Sequence, residues 1–111
     1  MKELINKKIF VVDDDLFISE LIAQHLKNLK FKDVTIYNDS VLALNELIQN
    51  PAIVFLDYHM DTLNGFDLLK KIKRFNPNIL VVMVSGQDDM NVAIESLKFG
   101  AFDYVVKGQN E

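Results

Sequence analysis

Asp13, Asp14 and Asp15 stand in a row directly behind the apolar run Ile9–Val12, and a fourth carboxylate, Asp57, follows a second apolar run, "AIVFL" at 52–56. Like charges crowded at the end of a buried strand cost stability unless something positive sits among them. Oxygen-only ligands with open positions suit a hard divalent cation, above all Mg²⁺ that keeps several of its waters. A hydroxyl and an amine close two further apolar runs, Ser85 after "ILVVMV" and Lys107 after "FDYVV". Carboxylates, a bound cation, a hydroxyl and a fixed ammonium together suit phosphoryl transfer, whose transition state spreads negative charge over three equatorial oxygens. Asp57, on what should be the central strand, is the best placed nucleophile, and a carboxylate attacking phosphorus yields an aspartyl phosphate. It needs no general base, because a carboxylate is ordinarily ionised near pH 7.

These groups act together only if the fold brings them to one place. "KIFVV" (8–12) is continuously apolar, as in a parallel-sheet strand covered on both faces. Ile18, Leu21, Ile22, Leu26 and Leu29 recur at helical spacing behind it, with Asp15 as an acid at the helix start. "VTIY" (34–37) reads as a strand. Asp39 or Ser40 caps a second helix bearing Leu42, Ala43, Leu47 and Ile48, which Pro51 closes. After the strand 52–56 and the loop "DYHMDTLNG", a third helix carries Phe66, Leu68, Leu69 and Ile72 and ends before Pro77. The run 79–84 is a fourth strand. Asp88 and Asp89 are caps for a fourth helix with Ala93, Ile94 and Leu97 inward and Gly100 as a left-handed stop, and 102–106 is the last strand. Strands alternating with helices through short connections call for an α/β fold, an open parallel sheet with right-handed crossovers and helices on both faces. Its functional crevice lies outside the carboxyl ends of the strands. There the first strand delivers Asp13 and Asp14, the third Asp57, the fourth Ser85 and the fifth Lys107, while the second offers only Asn38 and Asp39 at the sheet edge.

Composition narrows the function classes. The chain of 111 residues has the length of one domain, and half of it is hydrophobic. Twelve basic against sixteen acidic residues, a net charge of −4, disfavour a nucleic-acid or anionic-membrane partner. With no cysteine, disulfides, thiol catalysis and zinc–thiolate sites are excluded. No apolar run approaches the ~20 residues of a membrane span, and "MKELINKKIF" lacks a signal peptide's apolar segment. The expected location is cytoplasmic.

The chain resembles the receiver domain of two-component response regulators. "VVDDD", "VFLDYHM", "NGFDLL", "VVMVSG" and "GAFDYVVK" stand in that family's order and spacing over essentially the whole length. The resemblance implies a flavodoxin-like, doubly wound sheet of order 2-1-3-4-5. It also implies phosphoryl transfer to Asp57 from a histidine kinase or histidine phosphotransfer protein. Mg²⁺ would be held by Asp14, Asp57 and the backbone carbonyl of His59, with Asp13 acting through water. Ser85 and Lys107 would contact the phosphoryl oxygens, and Tyr104 matches the aromatic switch residue that follows Ser85. His59 and Gln87 occupy pocket-mouth positions that tune phosphate lifetime. The domain modifies itself, with autodephosphorylation at most, and is no turnover enzyme.

The pattern breaks in three places. Gly108 follows Lys107 where the family has a proline after a cis bond, so a trans bond is expected, since a cis bond before a non-proline residue costs about 3–4 kcal/mol. Asp61 replaces a common loop proline. The sequence given leaves no room for the family's fifth helix after Lys107. Residues 1–111 therefore read as one receiver domain, truncated before that helix. Ile9, Val11 and the last strand are expected to be left apolar and open, inviting self-association. Alternatives are a receiver-like interaction module that is never phosphorylated, and a Mg²⁺-dependent aspartyl phosphohydrolase. The latter would want an acid where His59 stands. A flavin carrier would want a Ser/Thr/Gly-rich loop after the first strand in place of acids.

Overall fold

The computed structural model describes residues 5–60, 62–86 and 90–107. Five parallel strands, β1 (Lys8–Val12), β2 (Asp33–Tyr37), β3 (Ile53–Asp57), β4 (Leu80–Ser85) and β5 (Asp103–Val106), form one sheet of order β2-β1-β3-β4-β5. Between them lie α1 (Leu16–Asn28), α2 (Ser40–Asn45) with a 3-10 turn at Leu47–Gln49, α3 (Gly65–Phe75) and α4 (Met90–Lys98). This is the flavodoxin-like architecture that the sequence implies, with four α-helices and no fifth among the described residues.

Caps fix where the helices begin. Asp15 accepts from the N–H of Ile18 at 3.1 Å, Asp39 from Val41 at 2.7 Å, and Asn64 from Asp67 at 2.9 Å. Of the two candidates for α2, the cap is Asp39. Gly100 has φ +106°, the left-handed stop after α4.

Side-chain alternation divides the strands between two cores. Phe10, Val12, Val54, Leu56, Val81 and Met83 pack with Ala43, Leu47, Leu68, Leu69 and Ile72, so α2, its 3-10 turn and α3 cover this face. On the other face Ile9 and Val11 pack with Leu26 and with the half-buried Ile22, Val34, Ile36 and Phe55.

Several expectations about burial are overturned. Ile9 and Val11 are fully buried, because α1 lies over them. The open part of that face is farther along, where Leu80 and Val105 are exposed and Ile53, Phe55 and Val82 only half covered. On α1 the stripe turned to the sheet is Ser19, Ala23 and Leu26, and Leu21 and Leu29 face outward. On α4 Ser96 is buried while Ile94 and Leu97 are half exposed. Leu42 and Ile48 are exposed as well. These helices set small residues against the strands, which brings backbone close to the sheet and leaves the larger apolar groups outside. The expected caps Asp88 and Asp89 lie outside the described residues.

Candidate functional site

β1 and β3 are adjacent and in register, Val12 opposite Leu56, so their next residues, Asp13 and Asp57, emerge side by side. Asp13, Asp14 and Asp57 each offer a carboxylate oxygen within 4.8 Å of the others. Asp13 and Asp57 are buried, at 1% and 4% exposure, and Asp14 is exposed. From β5 the Lys107 ammonium reaches both buried acids, 3.1 Å from Asp13 Oδ2 and 3.1 Å from Asp57 Oδ1. Backbone bonds hold it there, since Lys107 N–H donates to the Ser85 carbonyl at 2.7 Å.

Burial, joined by the charge of Asp13, raises the Asp57 carboxyl from its ordinary 3.8 to about 6 against the pull of Lys107 and of the His59 N–H. Asp57 is thus a strained anion at pH 7, still mostly ionised, where the sequence alone suggested an ordinary carboxylate. Burial pushes the Lys107 amine down, but its bonds to Asp13 and Asp57 prevail and its affinity for a proton is raised. The ammonium is a permanent charge.

One ammonium does not balance three acids. Asp13 Oδ2 is buried and ion-paired to the Lys107 ammonium, which it shares with Asp57. Two buried carboxylates sharing one ammonium, with the exposed Asp14 carboxylate beside them, form an oxygen-only donor set that fits a hard divalent cation.

Ser85 and Tyr104 lie on β4 and β5, and His59 on the loop after β3. Ser85 is fully buried, one position past Val84, which is Asp57's partner in the sheet. Tyr104 is half-buried against the core, opposite Met83. His59 is exposed beside the site; its N–H points to Asp57 Oδ1 at 3.4 Å and its ring packs edge-on against Tyr58. Gln87, Asp61 and the Lys107–Gly108 bond lie outside the described residues.

Two residues with work to do at the site had only a place in the sequence reading. Asn38 donates through Nδ2 to the Asp13 carbonyl at 2.7 Å and to Ser19 Oγ at 3.1 Å, tying the acidic turn to the end of β2. Gly65 lets α3 start against the end of β3: a Cβ there would stand 2.7 Å from Tyr58 Cα and 2.8 Å from the Asp57 carbonyl oxygen. An Asn after a strand and a Gly at a helix start were the only signals, and neither specifies a partner.

A five-stranded 2-1-3-4-5 sheet with three acids and a lysine at its carboxyl edge is the architecture of a response regulator receiver domain. The sequence model of the response regulator receiver domain matches residues 9–111, and the chain belongs to that family. It is 33% identical over 100 residues to the transcriptional regulatory protein ZraR of Klebsiella oxytoca, a match covering 89% of this chain and 22% of that protein. With the chemotaxis protein CheY of Thermotoga maritima it shares 29% identity over 104 residues, covering 91% of this chain and 85% of that one. The structure described as the BeF3-activated DrrB receiver domain superposes with a TM-score of 0.87 at 27% identity, over 95% of this chain and 87% of that one. The chain spans about a quarter of the first curated relatives it matches. Among the described residues no helix is long and apolar enough to cross a membrane.

Proposed function

We propose that Asp57 accepts a phosphoryl group from a phosphohistidine of a kinase or phosphotransfer protein. The observation that carries this reading is the buried Asp57, 3.1 Å from Lys107 and within 4.8 Å of two further carboxylates. An Asp57 oxygen attacks phosphorus, an O–P bond forms and the P–N bond breaks. Lys107 supplies fixed positive charge to the phosphoryl oxygens, and Ser85 supplies a hydroxyl from the next strand. Asp14, Asp57 and the His59 carbonyl would hold Mg²⁺, with Asp13 acting through water. When bound there, Mg²⁺ would supply the charge neutralisation that phosphoryl oxygens need to approach the acids.

Loss of the Asp57 charge and the draw of the new phosphoryl group on Ser85 and Lys107 bias a two-state element, with Tyr104 following Ser85. The readout surface is the outer face of α4 and β5, where Met90, Ile94 and Leu97 of α4 are exposed. A cytoplasmic location goes with this reading. Incubation with Mg²⁺ and acetyl phosphate should add one phosphoryl group by mass, and Asp57→Asn should abolish it. No adduct on folded protein would leave a binding module, and sustained phosphate release over many turnovers would mark a phosphohydrolase.

A further inference from the structure

The acidic turn after β1 is held at its backbone by a side chain. β1 and β2 run in parallel register with Val12 opposite Tyr37, so Asp13 and Asn38 are the next pair. The first half of their rung forms, Asp13 N–H donating to the Tyr37 carbonyl at 3.0 Å. A regular ladder would complete it with the Asp39 N–H donating to the Asp13 carbonyl. By then β2 has ended, and Asp39 is the cap of α2. The Asp13 carbonyl accepts from Asn38 Nδ2 instead, at 2.7 Å. The other amide hydrogen goes to Ser19 Oγ at 3.1 Å, and that hydroxyl donates to the Leu16 carbonyl at 3.0 Å. Asn38 is itself exposed, yet both of its acceptors belong to residues only 1% exposed.

The three acids of the cluster are not held alike. The Asp13 carboxylate accepts from the Asp15 N–H at 2.9 Å and pairs with Lys107. That of Asp57 takes the His59 N–H at 3.4 Å and the same ammonium. The Asp14 carboxylate makes no hydrogen bond or ion pair among the described residues. Its direction therefore follows from its backbone. The Asp13 carbonyl belongs to the rigid peptide plane that leads into Asp14, so whatever fixes that carbonyl also fixes the Asp14 Cα.

We propose that Asn38 is a positioning residue for Asp14. By holding the Asp13–Asp14 peptide plane it keeps the Asp14 carboxylate within 4.8 Å of those of Asp13 and Asp57, and so sets how tightly the three acids take a divalent cation. The inference rests on the reading of Asp14 as a cation ligand, and adds a residue that touches neither the cation nor the phosphoryl group. Only an amide serves among side chains of this size and shape. An aspartate in its place has no hydrogen to give the carbonyl when ionised. Ser19 is the second anchor, fixing the Asn38 amide against α1 so that its first hydrogen stays on the Asp13 carbonyl.

Calorimetric titration of the folded full chain with Mg²⁺ tests this. The dissociation constant should rise about tenfold in Asn38→Ala and in Asn38→Asp, the worth of one hydrogen bond. Ser19→Ala, which spares the carbonyl bond, should raise it about threefold. Asn38→Asp separates position from charge: an acid added beside the cluster attracts a cation, so tighter binding there overturns the proposal. An unaltered constant in Asn38→Ala overturns it as well. Added to Asp14→Asn, Asn38→Ala should weaken binding no further, because its effect passes through Asp14; an additive loss removes that route. Without metal, NMR of both Asn38 variants should show shifts at the Asp13 carbonyl carbon and the Asp14 amide, with residues 53–57 unmoved. No change at Asp13 and Asp14 denies the clamp before any cation is added. If the wild type takes up no Mg²⁺, the cation reading fails and the role of Asn38 fails with it. A loss in Asp14→Asn with none in Asn38→Ala overturns the inference alone.

Discussion

The Lys107 ammonium stands 3.1 Å from Asp57 Oδ1 and is shared with Asp13 Oδ2 at the same distance. One cation thus serves two buried anions. Its removal leaves both uncompensated, and loss of one partner from a buried pair is more damaging than loss of both. Lys107→Met should destabilise the fold by about 2–3 kcal/mol in EDTA, less in saturating Mg²⁺, where a second cation substitutes. Urea unfolding with and without Mg²⁺ checks this; an equal loss in both media would deny that Lys107 and the metal neutralise the same charge.

Asp57 binds a proton more readily when folded than when unfolded, its carboxyl being raised from 3.8 to about 6. Without metal, its contribution to stability is present below pH 4 and is lost as pH rises through about 6, because the unfolded chain ionises first. Asp57→Asn should remove that slope and stabilise metal-free protein at pH 7 by about 2 kcal/mol. Unfolding free energies measured from pH 4 to pH 7 decide the point, and a wild-type slope of opposite sign would refute it.

Mg²⁺ should stabilise the folded chain by mass action, by about 2.7 kcal/mol at a hundred times its dissociation constant. Asp13→Asn and Asp14→Asn should each weaken that gain at least tenfold in metal concentration while leaving the fold intact. Calorimetric titration of the three proteins is the direct check. Wild-type affinity in Asp14→Asn would take that residue out of the metal site.

Gly65→Ala places a methyl group against backbone on both sides, Tyr58 Cα and the Asp57 carbonyl oxygen, which cannot swing aside as a side chain would. The cost should be about 1–3 kcal/mol, accompanied by slower phosphorylation as the end of β3 shifts. Amide shifts centred on 57–60 are expected. A variant with wild-type stability would mean that α3 moves freely relative to β3.

Leu80 and Val105 with the half-buried Ile53, Phe55 and Val82 form an apolar stripe on the sheet face next to α1. We expect the chain as given to self-associate through it at tens of micromolar, and Val105→Lys to shift it toward monomer. Sedimentation velocity tests both, and a strictly monomeric wild type would count against the stripe as an interface.

The order of elements and the polar residues that close the strands were legible in the sequence because both depend on local pattern. Continuous apolar runs ending in Asp13, Asp57, Ser85 and Lys107 need only the rule that parallel strands share one carboxyl edge. Which side of each helix is buried was less legible. Leu21, Leu29, Ile94 and Leu97 are apolar at helical spacing, yet Ser19, Ala23 and Ser96 face the strands, because close packing on a sheet selects for size as well as polarity. The fate of Ile9 and Val11 depended likewise on how far α1 reaches across the sheet.

The sequence by itself determined the strand–helix alternation, the acids and the lysine, since each is written in consecutive residues. Only the tertiary structure decided how strongly those charges interact. The raised Asp57 carboxyl, the ammonium shared by Asp13 and Asp57, and the clamp from Asn38 all arise from distance and burial. Coulomb and desolvation energies depend on those two quantities, and residues far apart in the chain acquire them only when the sheet closes.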